Sequence, residues 1–182
     1  AAYIYWSRTN TSGGCAITVY GDISDGDQDF FDAVSSDCTN GGVLFKSRGG
    51  NLVAGLKIGE MIRARGLETA VSYDAQCASA CALAWLGGVK RNMFDTSLIG
   101  FHAAYTGSGD TAAESGVGNA LVGAYMAGLG LPTQAVVFAA SARPNEMNWL
   151  DYRDAKSLGI AINLLAESDR HWIDALDQGR PH

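Results

Sequence analysis

The sequence predicts an α/β fold with a mostly parallel sheet, alternating strands and helices, and a helical arm. Three observations predict it. Short aliphatic or β-branched runs alternate three times with helix-patterned runs before residue 90, and that alternation implies parallel strands joined by right-handed crossovers. Gly21, Gly41-Gly42, Gly49-Gly50 and Gly66 fall at the junctions, where turns need them. The 182 residues, 47% hydrophobic with 23 glycines, suit one tightly turned domain with a full core, residues 1–182.

The elements follow in order. Ala16–Tyr20 is a β-branched strand closed by Gly21-Asp22. Asp25-Gly26-Asp27 opens a helix carrying Phe30, Phe31, Ala33 and Val34. Val43–Lys46 is a second strand, and Ser47-Arg48-Gly49-Gly50-Asn51 is a tight turn after it. Leu52, Val53, Leu56, Ile58, Met61 and Ile62 give the next helix an apolar face, ending near Gly66. Thr69–Tyr73 is a third strand leading to Ser79, and Ala80–Leu86 is a buried helix ended by Gly87-Gly88. Val89–Phe94 and Ser97–Phe101 read as two short strands, with His102 at the end of the second. Residues 103–110 read as a polar loop. The helical arm spans about 111–142, broken at Gly128–Pro132. A helix over Tyr152–Leu158 and a strand over Gly159–Asn163 close the core, leaving a polar tail at about 167–182.

Charge and hydropathy exclude some functions. A net charge of −6 with no basic stripe argues against nucleic acid, and weakly against anionic lipid. No apolar run reaches the length of a membrane span. The four cysteines, Cys15, Cys38, Cys77 and Cys81, allow three pairings. Cys15 and Cys38 each precede a predicted strand, and Cys77 and Cys81 are close in the chain. The preferred pairing is therefore 15–38 with 77–81, which suits a periplasmic or otherwise exported protein. The alternative is four reduced thiols in a cytoplasmic one. The start at Ala1-Ala2 suits a processed precursor.

Cys77-Ala78-Ser79-Ala80-Cys81 carries the chemistry. Ser79 lies on a strand-to-helix turn, where helix N–H groups favour negative charge, as a nucleophile and its oxyanion require. On local pattern alone a plain N-cap is the stronger reading. The Gly49-Gly50 turn adds backbone N–H groups free of side chains. Gly49 or Gly50 on one side and Ala80 on the other are the candidate oxyanion donors. His102 is the one histidine inside the core pattern, since His171 and His182 fall in the polar C-terminal part. It is the candidate general base.

These motifs together resemble a known family. Ser47-Arg48-Gly49-Gly50 is similar to the Ser-Pro-Gly-Gly turn of ClpP, the proteolytic subunit of the Clp protease, within the ClpP/crotonase superfamily. Ala54-Gly55-Leu56 and Ala75-Gln76-Cys77-Ala78-Ser79 resemble its next helix and its nucleophile motif. Gly88-Val89-Lys90-Arg91, Leu98-Ile99-Gly100-Phe101-His102 and Ala155–Ile160 follow in the family's order. That collinearity makes Ser79 a nucleophile rather than a cap. The resemblance implies a serine hydrolase, peptidase-like, with no cofactor and no metal, acting on peptides or proteins. It also implies a homo-oligomer formed through the arm.

The sequence also departs from the family. Met147 stands where the family has its triad aspartate, leaving Asn145, Glu146 and Asn148 as neighbouring polar residues. Asn148 and Glu146 are the candidates for the third member. Arg48 replaces the family proline and brings a charge near the oxyanion site. Cysteines on both sides of the serine are unlike ClpP and resemble exported bacterial relatives, in which they would brace the turn. The signal-peptide-peptidase branch uses a lysine base, for which Lys57 or Lys90 stand as candidates, though His102 matches its strand end better. Two other readings remain. One is a catalytically weak or inactive periplasmic scaffold that binds peptides or proteins. The other is a zinc site on Cys77, Cys81 and His102, which lacks an evident fourth ligand. A crotonase-type acyl-CoA enzyme ranks below the peptidase, because it has no need of a serine on that turn.

Overall fold

The computed structural model describes residues 1–8 and 14–177. The chain opens with β1 (Tyr3–Arg8) and β2 (Cys15–Tyr20), followed by α1 (Asp27–Ser35), β3 (Gly42–Lys46) and α2 (Leu52–Ala64). Next come β4 (Glu68–Val71), β5 (Gln76–Ala78), α3 (Ala80–Leu86), β6 (Arg91–Met93) and β7 (Leu98–Phe101). A short hairpin of β8 (Tyr105–Thr106) and β9 (Ala113–Glu114) precedes α4 (Gly116–Gly128) and α5 (Thr133–Ser141). The chain closes with β10 (Asn148–Trp149), α6 (Tyr152–Ala155), β11 (Asn163–Leu164) and α7 (Arg170–Asp177).

The main sheet has the order β1-β2-β3-β4-β6-β11. It is parallel apart from β1, which lies antiparallel on β2. A second sheet, β10-β7-β5, carries the parallel pair β5 and β7, with β10 antiparallel at its edge. Period-2 alternation in β3 divides the core. Val43 and Phe45 join the main cluster with Phe31, Ile58, Ile62 and Trp85. Leu44 points the other way and packs with Phe94 and with Ile173 of α7. Both faces of the sheet are thus covered, as parallel sheets require.

Both disulfides of the preferred pairing are present, Cys15–Cys38 and Cys77–Cys81, with Cα separations of 5.7 and 5.2 Å. Parallel pairing of β2 with β3 sets Ala16 opposite Gly42, which brings the chain before each strand together.

Several expectations need correction. The N-terminal strand β1, Tyr-Ile-Tyr-Trp-Ser-Arg, is an addition to the expected elements, and it pairs antiparallel with β2 at the edge of the main sheet. Ser79 does not follow the third predicted strand directly. An Asp74 turn at φ 51° separates β4 from β5, and β5 belongs to the second sheet. The arm begins at Gly116 rather than 111, because residues 105–114 form the β8–β9 hairpin around a short 3-10 turn. The strand expected over 159–163 contracts to Asn163–Leu164, since Gly159 sits at φ 73°. The tail is not wholly loose: α7 buries Ile173. Residues 178–182, including His182, lie outside the described residues.

Candidate active site

Strand register builds the site. In the parallel pair β5–β7, Ala78 lies opposite Gly100, so Ser79 and His102 emerge from the same end of neighbouring strands. The Ser79 amide donates to Gly100 O at 2.8 Å. Ser47 extends β3 alongside β5, its amide donating to Gln76 O at 2.9 Å while its carbonyl accepts from Ala78 N at 3.1 Å. The glycine turn is thereby held against the serine.

Ser79 has φ 56° and ψ −123°. A non-glycine residue there costs about 1–3 kcal/mol. It stands at the N-cap position of α3, yet its side chain makes no capping hydrogen bond. The plain-cap reading therefore fails: a capping serine adopts extended backbone and accepts from the first turn. The Cys77–Cys81 disulfide spans the strained residue on both sides, with both cysteines fully buried.

Gly49 and Gly50 have φ of 103° and 138°. A Cβ at Gly49 would come within 2.5 Å of Ala78 O and 2.8 Å of Ser79 Cβ, so only glycine allows this approach. The two glycine amides differ. Gly49 N–H donates to Ser47 Oγ at 3.0 Å, and is already occupied. Among the described residues, neither the Gly50 amide nor the Ala80 amide donates to a protein acceptor. Ala80 is 1% exposed, and a buried N–H without an acceptor is rare.

Ser79 and His102 line one cleft of about 300 Å³, together with Gly50, Leu83, Phe101 and Val122. None of its lining side chains is an acid, a lysine or an arginine. His102 Nδ1 lies 2.8 Å from Ala103 O. A carbonyl only accepts, so Nδ1 carries a hydrogen, and in the neutral ring Nε2 then keeps a lone pair. The Tyr105 ring lies 5.4 Å away, centroid to centroid. Ser79 and His102 make no direct hydrogen bond with each other.

Neither candidate for the third member, Asn148 or Glu146, is hydrogen-bonded to His102. Asn148 is paired across the strands with Phe101, but its amide donates to Phe138 O at 3.0 Å and Ser141 Oγ at 2.9 Å. Asn145 and Glu146 are exposed. Met147 lies over Gly100, where a Cβ would come within 2.5 Å of its Cγ. The partner of the histidine is the Ala103 carbonyl, which no side-chain motif encodes. Arg48 does not charge the site either. It forms a two-pronged ion pair with Asp22, at 2.8 and 3.2 Å. That hydrogen bond holds the Asp22 carboxyl below its ordinary range. Lys57 and Lys90 are exposed and lie outside the cleft. Cys77 and Cys81 are bonded to each other, so the zinc reading loses its thiolates. Among the described residues no group of three or more His, Cys, Asp or Glu converges on a metal position.

No protein-family model and no curated protein matches the sequence. Among solved structures, the chain is similar to 1510-N, a membrane-bound stomatin-specific protease determined as a serine-to-alanine mutant. The TM-score is 0.64 at 18% identity, over 90% of this chain and 82% of that one. The fold is ClpP-like. At this identity the likeness speaks to the fold alone. Among the described residues, no helix is long and apolar enough to cross a membrane.

Proposed function

We propose that the protein is a serine hydrolase of peptidase type. The observation that carries this reading is Ser79 itself: a strained residue with a hydroxyl that caps nothing, on a cleft shared with His102. Ser79 Oγ attacks the scissile carbonyl while His102 Nε2 takes its proton. The amides of Gly50 and Ala80 receive the oxyanion. His102 then returns the proton to the leaving amine, and water releases the acyl group by the same path. Ala103 O holds the ring in the required tautomer, though a neutral carbonyl stabilises the imidazolium less than a carboxylate does. Leu83, Phe101 and Val122 offer an apolar seat for a side chain of an extended peptide or protein substrate. Two disulfides suit an exported, periplasmic setting better than a cytoplasmic one. Assembly through α4 and α5 belongs to the same proposal.

The absent carboxylate favours a second reading, a weak or inactive scaffold that binds peptides or proteins. A fluorophosphonate probe separates the two. The hydrolase labels in the native state, and Ser79→Ala abolishes labelling. No labelling of the wild type between neutral and mildly alkaline pH would leave only the scaffold.

A further inference from the structure

The backbone on both sides of the Ala103 carbonyl is held. Ala103 N donates to Ala142 O at 2.8 Å, and Ala104 O accepts from Ser115 N at 2.8 Å. The N–H of the same peptide unit, on Ala104, donates to Asn119 Oδ1 at 2.8 Å, fifteen residues along the chain. The Ala104 Cβ also abuts Gly118, where an added Cβ would lie 2.6 Å from it. Asn119 lies in α4, one turn after the Ser115 cap, in a stretch with no charged residue between Glu114 and Arg143. A polar side chain in so apolar a helix needs a reason. Its oxygen reaches a backbone amide that would otherwise lack a partner.

We propose that Asn119 is a positioning residue for the proposed reaction, fixing the tautomer of His102 through the Ala103–Ala104 peptide. In a trans peptide the C=O and N–H point opposite ways. His102 Nδ1–H is bound on one side of this unit and Asn119 Oδ1 on the other. Each hydrogen bond polarises the peptide and strengthens the other. Asn119 thus makes Ala103 O a better and more rigid acceptor. That keeps the hydrogen on Nδ1 and leaves Nε2 free for Ser79. The backbone does here what a side-chain carboxylate does in a full triad, and the arm supplies its support.

The inference rests on the hydrolase reading, but its test does not. Ring ¹⁵N shifts of His102 report the neutral tautomer directly, measured at mildly alkaline pH in a Ser79→Ala background. Asn119→Ala deletes the acceptor, while alanine's helix propensity keeps α4 intact. Asn119→Asp restores an acceptor of the same shape. The alanine variant is expected to move His102 toward the Nε2–H tautomer. With Ser79 present, it should slow fluorophosphonate labelling about 3- to 10-fold, the range for one lost hydrogen bond. The aspartate variant is expected to keep Nδ1–H and to label at or near the wild-type rate. Wild-type ¹⁵N shifts in Asn119→Ala would overturn the proposal, as would loss of the Nδ1–H tautomer in Asn119→Asp. An unlabelled wild type with the tautomer shift intact would overturn the hydrolase reading and still support the positioning role.

Discussion

Ser79 holds a backbone conformation that glycine would adopt freely. With φ 56° and ψ −123° its Cβ is strained, and the chain keeps that strain where the hydroxyl meets the cleft. Ser79→Gly should therefore raise stability, by about 1 kcal/mol once the relieved strain is set against glycine's greater freedom in the unfolded chain. In a protein of this size that is a rise of about 2–4 °C in melting temperature. Ser79→Ala retains the Cβ and should melt near the wild type. Both should lose fluorophosphonate labelling. Calorimetry of the three proteins checks the claim, and a glycine variant that melts no higher than the alanine variant would remove strain from the account. Most of this site was legible in residue types. Ser79, His102 and the two glycines announced themselves by strand ends and turns. The orienting group did not, because a main-chain carbonyl leaves no trace in a sequence. For the third position the sequence offers only the polar neighbours of Met147, Asn148 and Glu146 among them. A short strand then sent the Asn148 amide toward Phe138 and Ser141 instead.

Helix α3 is anchored by a phenol from the arm. Tyr125 donates to Leu83 O at 2.6 Å, and its oxygen would lie 1.9 Å from any Cβ at Gly59. Burial pushes its phenol well above its ordinary value. Tyr125→Phe leaves the Leu83 carbonyl unpaired and should cost about 1–2 kcal/mol at neutral pH. Above its ordinary value of 10.0 the unfolded tyrosine ionises while the folded one does not, so stability falls with rising pH. The slope is about 1.4 kcal/mol per pH unit. The variant lacks that slope, and its stability should meet the wild type's near pH 11. Arg91, pushed down to about 10 chiefly by burial and then by Arg63, slopes the other way. It is present in both proteins, so their difference reports Tyr125 together with its coupling to Arg91. Denaturant melts at pH 7, 10 and 11 test this, and a gap that stays constant would show that Tyr125 ionises normally. The alternation of strands and helices was readable at this scale, because buried parallel strands are near-continuous apolar runs. Strand β5 was not, since Gln76-Cys77-Ala78 has no β signature and is held by Ser47 and β7.

The whole molecule spreads its −6 charge unevenly. From Ser115 to Ala142 no side chain is charged, yet Val117, Val137 and Leu121 are 75%, 59% and 45% exposed. Val117 and Leu121 stand one turn apart on α4 and so share a face, and an exposed apolar face marks a candidate interaction surface. A second copy of the chain suits it, because an uncharged face meets itself without like-charge repulsion. The arm's Asn119 and Ala142 also hold the strand end that carries His102. Assembly would therefore steady the peptide behind the proposed base. The double variant Leu121→Glu, Val137→Glu should shift the particle to monomer in sedimentation velocity while leaving its circular dichroism unchanged, since neither side chain is buried. Labelling of Ser79 should slow in that monomer, because the Ala103–Ala104 peptide loses its outer support. A wild type that sediments as a monomer at tens of micromolar would end the assembly claim. A dissociated variant that labels at the wild-type rate would separate assembly from the site and leave the arm with a positioning role inside each protomer.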